Sequence, residues 1–555
     1  MIDESFDFPF YKWEKKLADR PFLKQPFGKL WETYTWGEVG LMARKLATGL
    51  KSLGLKDKSH IGLVSKNCRE WIIADLAITI AGYISVPFFP TLKSYEIKNL
   101  LNFGDVDALF VGKLENWDEM KQGVPPNLPI ISFPHYKNHS KIDVGEKWFD
   151  FINRFDPQTD DFYPKNNDIW TIIFTSGTTG DPKGAVIKYK SLYNTKSVHE
   201  DYNPLGIDEG GNNRFISYLP LNHIFERVCI EWTCLRYGGN LSFVESLESF
   251  GQNLSSVSPT AFQGVPRIYS KFQEKILLKI PQTKLTKLLK IPFLSWIIKR
   301  KLKKTLGMSK AKVIISGAAA LPVELIDWFK TIGIHITNGY GMTENCCVCT
   351  NLNPYQNHGR GSVGKISSPD VSLKITGEGE ICMKGPFLMD SYYKNKEMTG
   401  STLQNGWLHT GDKGFIDDDG YLYVTGRVKD IFKTTKGKYI EPAAIESKFG
   451  NVDEFSQICL VGLNCVQPLL LVVPTELAKS NRDQTTIKIS KILNEVNNDL
   501  DNYKKISKII FVKEDWTPDN EMTTPTLKIK RAKVDEKFSL KYNNWEKSAE
   551  SIIWE

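Results

Sequence analysis

Short apolar runs alternate with helical patterns along the first part of the chain. Apolar positions recur at intervals of three and four over residues 34–50, which predicts an amphipathic helix. The runs 61–64, 84–88 and 108–111 predict buried strands, and residues 71–80 predict a helix between two of them. Strands that alternate with helices favour α/β layers with mostly parallel sheets. The expected fold class is therefore α/β.

The last part of the chain repeats this alternation on a smaller scale. Residues 458–461, 469–473 and 509–512 predict strands, and residues 487–500 predict an amphipathic helix. We expect a compact α+β lid here. Because 555 residues are too many for one core, two or more domains are expected.

Composition narrows the class of protein. The chain is 41% hydrophobic and 25% charged, with a net charge of +8, which is typical of an ordinary globular protein. No apolar run reaches the roughly 18 residues of a membrane-spanning helix. Residues 1–7 are acidic and lack the pattern of a signal peptide, so we expect a cytoplasmic protein.

The cysteines show no disulfide framework. Cys346, Cys347 and Cys349 form a local C-x-x-C. Because no second pair lies nearby, small buried residues beside a binding loop are favoured over a metal or redox site.

The most informative stretch follows a predicted strand at 169–174. Residues 175–180 are all Thr, Ser or Gly, and Lys183 comes shortly after them. Glycines let backbone N–H groups approach an anion, hydroxyls add donors, and the lysine adds a positive charge. This pattern predicts a phosphate-binding loop. It differs from the loop of P-loop kinases and ATPases, in which the lysine directly follows a glycine.

Three strings carry a family resemblance. Residues 175–184 resemble the TSGTTGxPKG loop of the adenylate-forming enzymes, which include acyl-CoA synthetases, luciferases and peptide-synthetase adenylation domains. Residues 219–227 and 262–272 resemble the long-chain acyl-CoA synthetase branch of that family. By this resemblance, His223 borders the carboxylate and acyl-chain pocket.

Two strings resemble the family's adenine and phosphate contacts. Residues 313–321 form a strand and a small-residue turn, and a purine ring needs such a slot without bulky side chains. Residues 338–344 resemble the YGxTE motif. The resemblance implies that Tyr340 stacks on adenine, Thr343 contacts the α-phosphate and Glu344 holds Mg²⁺. The unusual Asn-Cys-Cys that follows puts the floor of the pocket in doubt.

Further motifs imply a mobile lid. Residues 406–412 resemble the family's ribose-binding TGD string, with Asp412 closing a strand. Residues 420–433 resemble its hinge, with Lys429 as the pivot. The resemblance therefore places the domains at 1–428 and 429–555. Residues 524–531 resemble TPTLKxKR, in which the first lysine, here Lys528, serves adenylation.

The resemblance thus implies a complete set of site residues. The catalytic residues are Lys528, Glu344, His223 and Thr343. The residues that bind ATP or coenzyme A are Thr175, Ser176, Gly177, Thr178, Thr179, Gly180, Lys183, Gly317, Ala318, Asn338, Gly339, Tyr340, Gly341, Asp412, Arg427, Lys433 and Gly437. The residues assigned to Mg²⁺ are Glu344 and Thr175.

The implied reaction joins a fatty acid, with a long chain expected, to coenzyme A. ATP first gives an acyl-adenylate and pyrophosphate, and the thiol of coenzyme A then displaces AMP. One alternative is a fatty acyl-AMP ligase that passes the acyl group to a carrier protein. Another is a non-catalytic lipid-binding scaffold. The presence of Lys183, Glu344, Asp412 and Lys528 together disfavours the scaffold, because a binding protein needs no such set.

A basic segment leaves two interpretations open. Residues 271–312 contain thirteen Lys or Arg and one acidic residue, with apolar residues interleaved, and Pro281 and Pro292 should divide them into short helices. Such helices can lie on an anionic membrane surface, and the protein would then be peripheral at the inner face of that membrane. Alternatively, their apolar faces pack on the protein and their lysines are solvated. No motif indicates nucleic-acid binding. A monomer and a homodimer are equally compatible with the sequence.

Overall fold

The computed structural model describes residues 5–175, 183–192, 207–319, 321–347, 350–351, 359–366, 370–450, 452–463, 465–524 and 528–555. Within these ranges it is a mixed α/β protein with a large N-terminal and a smaller C-terminal part. The expected fold class is confirmed.

An eight-stranded sheet forms the centre of the N-terminal part. From edge to edge its strands are Ser391–Tyr392, Lys183–Lys188, Ile169–Thr175, Ile84–Phe88, His60–Val64, Val106–Val111, Ile130–Ser132 and Glu146–Lys147. The strands from Ile169–Thr175 to Glu146–Lys147 are parallel, whereas Lys183–Lys188 returns antiparallel to Ile169–Thr175. The predicted strands at 61–64, 84–88, 108–111 and 169–174 are confirmed.

Two long helices lie beside this sheet. Trp36–Ser52 starts at a capping box in which Thr35 and Glu38 each accept a hydrogen bond from the other's backbone N–H. Arg69–Ala81 is buried along its whole length and ends at Gly82, whose φ of 82° suits glycine. Further helices in the described part of this region are Pro9–Lys16, Ser94–Phe103, Trp117–Met120 and Trp148–Ile152, with a short 3₁₀ turn at Lys121–Gly123.

Two further sheets belong to the N-terminal part, and strand Val313–Ser316 of one of them leads into the predicted small-residue turn. One consists of Arg214–Ser217, Asn240–Phe243, Pro21–Phe27 and Leu30–Thr35, and the other of Ala261–Gly264, Val313–Ser316, Thr337–Tyr340, Thr350–Asn351 and Lys365–Ile366. The helices near them are Ile224–Glu226, Thr233–Tyr237, Phe250–Val257 and Val323–Thr331, with a π-helix at Arg227–Trp232 and a 3₁₀ turn at Thr343–Asn345.

An antiparallel sheet precedes the C-terminal part, and the sequence patterns did not predict it. Its strands are Ser372–Ile375, Glu380–Lys384, Trp407–Ile416 and Leu403–Gln404, with Leu422–Arg427 paired to Trp407–Ile416. The helix Lys396–Thr402 lies beside it. The sheet matters because it carries Asp412 and Arg427 on neighbouring strands.

The C-terminal part contains a hairpin and a separate four-stranded sheet. The hairpin pairs Phe432–Lys433 with Tyr439–Ile440, and the sheet consists of Phe455–Val461, Leu469–Pro474, Lys508–Phe511 and Ile552–Trp554. Its helices are Pro442–Glu446, Glu476–Ser480, Arg482–Asn498 and Arg531–Glu546, with 3₁₀ turns at Val428–Asp430 and Ser447–Phe449. The predicted strands and the helix at 487–500 are confirmed.

The basic segment forms three helices with the boundaries that the prolines predict. They are Pro266–Lys279, Gln282–Leu289 and Pro292–Thr305, and Pro281 and Pro292 lie at the breaks. We call these helices the basic module. None of the helices in the described ranges is long and apolar enough to cross a bilayer.

Candidate active site

The two ends of the predicted phosphate loop lie side by side in the central sheet. Thr175 ends one strand, Lys183 begins the next, and the two residues are register partners. The hydroxyl of Thr175 lies 3.4 Å from the carbonyl oxygen of Lys183. Burial lowers the pKa of Lys183, and the nearby charges of Lys429 and Arg427 lower it further. The predicted loop residues Ser176, Gly177, Thr178, Thr179 and Gly180 lie outside the described residues.

Asp412 is held by partners from two other strands. The hydroxyl of Tyr340 donates a hydrogen bond of 2.6 Å to its Oδ2, and Nε of Arg427 lies 3.0 Å from its Oδ1. The charge of Asp412 raises the pKa of Arg427. The expectation that Asp412 closes a strand is wrong, because strand Trp407–Ile416 continues past it against Leu422–Arg427. Asp412 therefore lies inside an antiparallel pair.

A second carboxylate supports the backbone beside Asp412. Oε1 of Glu380 accepts a hydrogen bond of 2.9 Å from the N–H of Gly411, whose φ is 70°, and Oε2 lies 2.8 Å from Nδ1 of His409. The Sγ of Cys382 lies 3.4 Å from the same His409 nitrogen. These three side chains are a possible metal-ligand group by distance alone. Both oxygens of Glu380 are already used, so we interpret the group as a hydrogen-bonded support.

Glu344 lies in the short 3₁₀ turn Thr343–Asn345 and is 9% exposed. The hydroxyl of Tyr392 donates a hydrogen bond of 2.6 Å to its Oε1, and the backbone carbonyl of Glu344 accepts one from the N–H of Met389. Glu344 also acts electrostatically on Lys183 and Lys528. The neighbouring Thr343 is buried. Tyr392 thus fixes one carboxylate oxygen of the residue that the sequence assigns to Mg²⁺.

The small residues around the predicted adenine slot have physical reasons to be small. A Cβ on Gly317 would lie 3.2 Å from the ring of Phe225, and one on Gly341 would lie 2.7 Å from the backbone of Cys347. Ala318 has a φ of 68°. Asn338 is buried and donates to the carbonyl of Ser362. Gly339 pairs with Asn351 in the sheet.

The Asn-Cys-Cys stretch at residues 345–347 packs beside Gly341 in the predicted adenine slot. Oδ1 of Asn345 accepts a hydrogen bond from the N–H of Met342. Cys346 is fully buried, and it and Cys347 have positive φ angles. Cys349 lies outside the described residues. The interpretation of small buried residues fits Cys346, whereas Cys347 is only partly buried.

Lys528 reaches the same region from the C-terminal part. Burial lowers its pKa, and the Arg427 charge lowers it further while Asp412 opposes that effect. Burial lowers the pKa of His223 to about 3, and the positive charge of Lys528 contributes to this lowering. His223 caps helix Ile224–Glu226, because its Nδ1 accepts the N–H of Phe225 at 3.2 Å. The strand before it ends at Ser217. His223 is therefore neutral at physiological pH.

Lys433 and Gly437 are not joined to this group. Nζ of Lys433 lies 5.3 Å from the ring centroid of Tyr439, and Gly437 turns the hairpin with a φ of 74°. Among the described residues, the hydrogen bonds and ion pairs around Asp412 and Glu344 do not extend to them. The structure thus brings Thr175, Lys183, Tyr340, Glu344, Asp412, Arg427 and Lys528 together and leaves this hairpin apart.

Two buried networks behind the site were not predicted. The guanidinium of Arg227 forms ion pairs with Asp75 at 2.6 Å and Glu231 at 3.2 Å. It also donates a hydrogen bond of 2.9 Å to the hydroxyl of Thr171. Thr171 belongs to the strand that leads into the phosphate loop. The network thus ties the segment 219–227, through Arg227, to that strand. Nothing in the sequence spacing relates Asp75 to Arg227.

The second network surrounds Glu226. Its Oε1 accepts the N–H of Tyr218 at 3.0 Å, and its Oε2 accepts Nε2 of Gln263 at 2.5 Å. Burial raises the pKa of Glu226 to about 8, although these hydrogen bonds oppose the shift. Glu226 is therefore largely protonated near neutral pH.

The fold and the site together define a class of protein. Two parts of unequal size meet at a site with the two ends of the predicted phosphate loop, a paired Tyr–Asp–Arg group and a lysine from the smaller part. Residues 10–393 match the family described as AMP-binding enzyme, and residues 429–545 match the AMP-binding enzyme C-terminal domain. The chain belongs to the AMP-binding enzyme family.

Similar proteins extend over most of the chain. Long chain acyl-CoA synthetase 6, peroxisomal, from Arabidopsis thaliana is 28% identical over 92% of this chain and 80% of its own length. Long-chain-fatty-acid–CoA ligase 5 from Mus musculus is 27% identical over 94% of this chain and 85% of its own. The crystal structure of the anthranilate CoA ligase AuaEII with anthranoyl-AMP has a TM-score of 0.78 at 22% identity, over 97% of this chain and 98% of that one. The last comparison shows the shared fold.

Proposed function

We propose that this protein joins a long-chain fatty acid to coenzyme A through an acyl-adenylate, releasing pyrophosphate and then AMP. The observation that carries the proposal is the placement of Asp412, which lies between Tyr340 and Arg427 and acts electrostatically on Lys528. The names of the relatives supply the acyl class. The carrier-protein alternative is less favoured, because those relatives are named as CoA ligases.

In the first half-reaction, the fatty acid carboxylate attacks the α-phosphate of ATP. Asp412 would accept the ribose hydroxyls while Arg427 and Tyr340 hold its carboxylate in place. Lys528 would offset the negative charge that develops at the α-phosphate, and Thr343 would hold an α-phosphate oxygen. No side-chain nucleophile is required, so the rate depends on positioning and charge stabilisation.

Glu344 and Thr175 fit a bound Mg²⁺ by their chemistry. They offer a carboxylate and a hydroxyl, which are the hard oxygen ligands that this ion prefers. The bond from Tyr392 orients the Glu344 carboxylate. When bound, Mg²⁺ would supply positive charge to the phosphate oxygens of ATP. Lys183 would add a second cation at the end of the loop.

The neutral state of His223 suits a pocket for a fatty acid. A protonated imidazole would have to be desolvated, and the low pKa of His223 shows that burial disfavours that form. The neutral ring can border the acyl chain without a charge in the apolar pocket. Cys229 and Cys347 pack with Phe225 in an apolar cluster on this side of the site. This cluster is our candidate wall of the acyl pocket.

In the second half-reaction, Lys528 must leave the site so that the thiol of coenzyme A can reach the acyl carbon. We propose that the C-terminal domain, residues 429–555, turns about Lys429. Lys429 lies in the 3₁₀ turn that directly follows strand Leu422–Arg427. The turn would bring the hairpin with Lys433 and Gly437 to the site. We further propose that the protein acts in the cytoplasm, peripheral to a membrane.

A carboxylate screen tests the proposed reaction. The protein is incubated with MgATP, coenzyme A and acids of short to long chain, and pyrophosphate and thioester are measured separately. We expect both products in equal amounts, with the highest rates for long chains. Pyrophosphate without thioester would instead assign the protein to the acyl-AMP ligases. Fatty-acid-independent ATP hydrolysis would contradict both assignments.

A further inference from the structure

The basic module has an inner face that packs on the protein and an outer face that does not. Leu285 is fully buried, and Ile298 and Leu302 pack against the same apolar cluster. These residues account for the inner face, which packs on the protein as one of the two interpretations expects. They do not explain the apolar residues on the outer face.

The outer face of helix Pro292–Thr305 carries large apolar side chains at its first turns. Phe293 is 71% exposed, Trp296 is 58% exposed and Ile297 is 37% exposed. Their spacing of three and four places them on one side of the helix. Two exposed apolar residues from the neighbouring segments, Leu278 and Ile291, add to the module's apolar surface. Side chains of this size are rarely exposed in a group without a partner.

The same side of the helix becomes cationic toward its end. Arg300, Lys301 and Lys304 continue the spacing of Phe293, Trp296 and Ile297, and all three are exposed. The guanidinium of Arg300 lies 5.4 Å from the ring centroid of Trp296. Helix Pro292–Thr305 contains no acidic residue, and the segment 271–312 contains only Glu274. The face thus combines an aromatic end with a positive end.

We propose that this face, defined by Phe293, Trp296, Ile297, Arg300, Lys301 and Lys304, docks on the surface of an anionic phospholipid bilayer. Trp and Phe insert at the level of the headgroups and the first acyl carbons, while the cations remain at the phosphates. A nucleic acid would match the positive charge but gives no reason for the three exposed apolar residues. The docking face stands independently of the catalytic proposal, since none of its residues belongs to the active site.

Vesicle sedimentation of the full chain tests this surface. The probes are vesicles of phosphatidylcholine alone and of phosphatidylcholine with about a third phosphatidylserine, at low, physiological and high salt. We expect binding to the anionic vesicles that weakens as salt rises, since the surface charges are screened within about 10 Å at 0.1 M salt. Binding to neutral vesicles should be much weaker.

Two sets of variants separate the apolar and the cationic contributions. Phe293→Ala with Trp296→Ala should reduce partitioning at least tenfold at every salt concentration. Arg300→Gln with Lys301→Gln and Lys304→Gln should reduce it roughly a hundredfold at low salt, about fivefold for each charge, and remove most of the salt dependence. All of these residues are exposed, so thermal unfolding should not change. Pyrophosphate release with a short, water-soluble acid should also be unchanged.

Matched controls lie elsewhere on the surface. Leu540→Ala removes an apolar side chain that is 92% exposed, and Lys29→Gln with Lys137→Gln and Lys141→Gln removes the same number of exposed charges. Both controls should bind vesicles within twofold of the unmodified chain. The proposal is overturned if the anionic vesicles do not sediment the chain at low salt, or if controls and module variants behave alike. Tighter binding to a DNA or RNA oligonucleotide that survives the Phe293 and Trp296 changes would also overturn it.

Discussion

The hydroxyl of Tyr340 donates a hydrogen bond of 2.6 Å to Oδ2 of Asp412. The two residues are 72 positions apart and come from different sheets. Because the other oxygen of Asp412 pairs with Arg427, the carboxylate has a fixed orientation before any ligand binds. This relationship connects three segments that the sequence analysis singled out, 338–344, 406–412 and 420–433, into one site.

Replacing Asp412 should weaken ATP binding. Asp412→Asn removes the charge that pairs with Arg427 and one acceptor for ribose, and a hydrogen bond to a charged group corresponds to roughly a ten- to hundredfold change in affinity. We therefore expect KM for ATP to rise by that factor, while KM for the fatty acid stays nearly constant. Steady-state kinetics with each substrate varied in turn measures this. Asp418→Asn, on the exposed turn that follows, should leave both values unchanged.

Glu380 should act on ATP through Gly411 and Asp412. Glu380→Ala removes the acceptor of the Gly411 N–H and the partner of His409 and should raise KM for ATP about tenfold with a much smaller effect on kcat. Glu380→Gln can keep the Gly411 hydrogen bond and should recover most of the loss. Glu378→Ala, an exposed neighbour, is the control. Equal defects in the Ala and Gln variants, or a loss confined to kcat, would exclude this positioning role.

The buried Glu226 should make stability depend on pH. Its folded pKa of about 8 lies above the ordinary value of 4.5, so between these pH values the folded state holds a proton that the unfolded state releases. Stability contributed by this group is therefore present below about pH 4.5 and is lost as pH rises toward 8. Glu226→Gln removes the titration.

The measurement is the difference in Tm between Glu226→Gln and the unmodified chain from pH 5 to 8. We expect this difference to move in favour of the variant as pH rises. His223 titrates with the opposite sign, because its folded pKa of about 3 makes protonation below pH 6.5 favour unfolding, but it is present in both proteins. Glu274→Gln, which removes an exposed carboxylate, is the control.

Lys528 and Lys433 should affect opposite half-reactions. Lys528→Ala should slow pyrophosphate formation from fatty acid and MgATP by about a hundredfold or more, since it removes a charge aimed at the transition state. Its thioester formation from supplied palmitoyl-AMP and coenzyme A should change only a few-fold. Lys433→Ala should show the reverse pattern.

Lys530→Ala is the control that tests which lysine of residues 524–531 serves adenylation. Lys530 precedes helix Arg531–Glu546, and its N–H bonds back to Met522. Its loss should leave pyrophosphate formation within a few-fold. If Lys530→Ala shows the large defect, or if Lys528→Ala slows both half-reactions equally, the assignment of Lys528 to adenylation is wrong.

Hydrophobic periodicity and proline positions predicted the strands and helix breaks, because these depend on residues that are close together in the sequence. The strands of the central sheet are short apolar runs, and the breaks in the basic module occur at Pro281 and Pro292. The phosphate loop and the YGMTE string are contiguous, so their residue types could be recognised directly. Which side of helix Pro292–Thr305 faces outward required the structure, because apolar residues occur on both sides.

Supports between distant segments could not be predicted in the same way. Tyr392 reaches Glu344 across 48 positions, and Arg227 reaches Asp75 across 152. Such pairs arise from tertiary packing and leave no periodic signal in the sequence. The position of Asp412 inside a strand was missed for a related reason. Gly411, the glycine before Asp412, is typical of a strand end. In the structure its N–H is bonded to Glu380, and the strand continues beyond Asp412.

The central claim is that this site forms an acyl-adenylate. The most direct test is to mix the protein at high concentration with MgATP and palmitate, without coenzyme A, and to analyse the quenched mixture by mass spectrometry. We predict palmitoyl-AMP and pyrophosphate in equal amounts, approaching one per protein, and their conversion to palmitoyl-CoA and AMP when coenzyme A is added. Formation of ADP, or no fatty-acid-dependent pyrophosphate, would contradict the account.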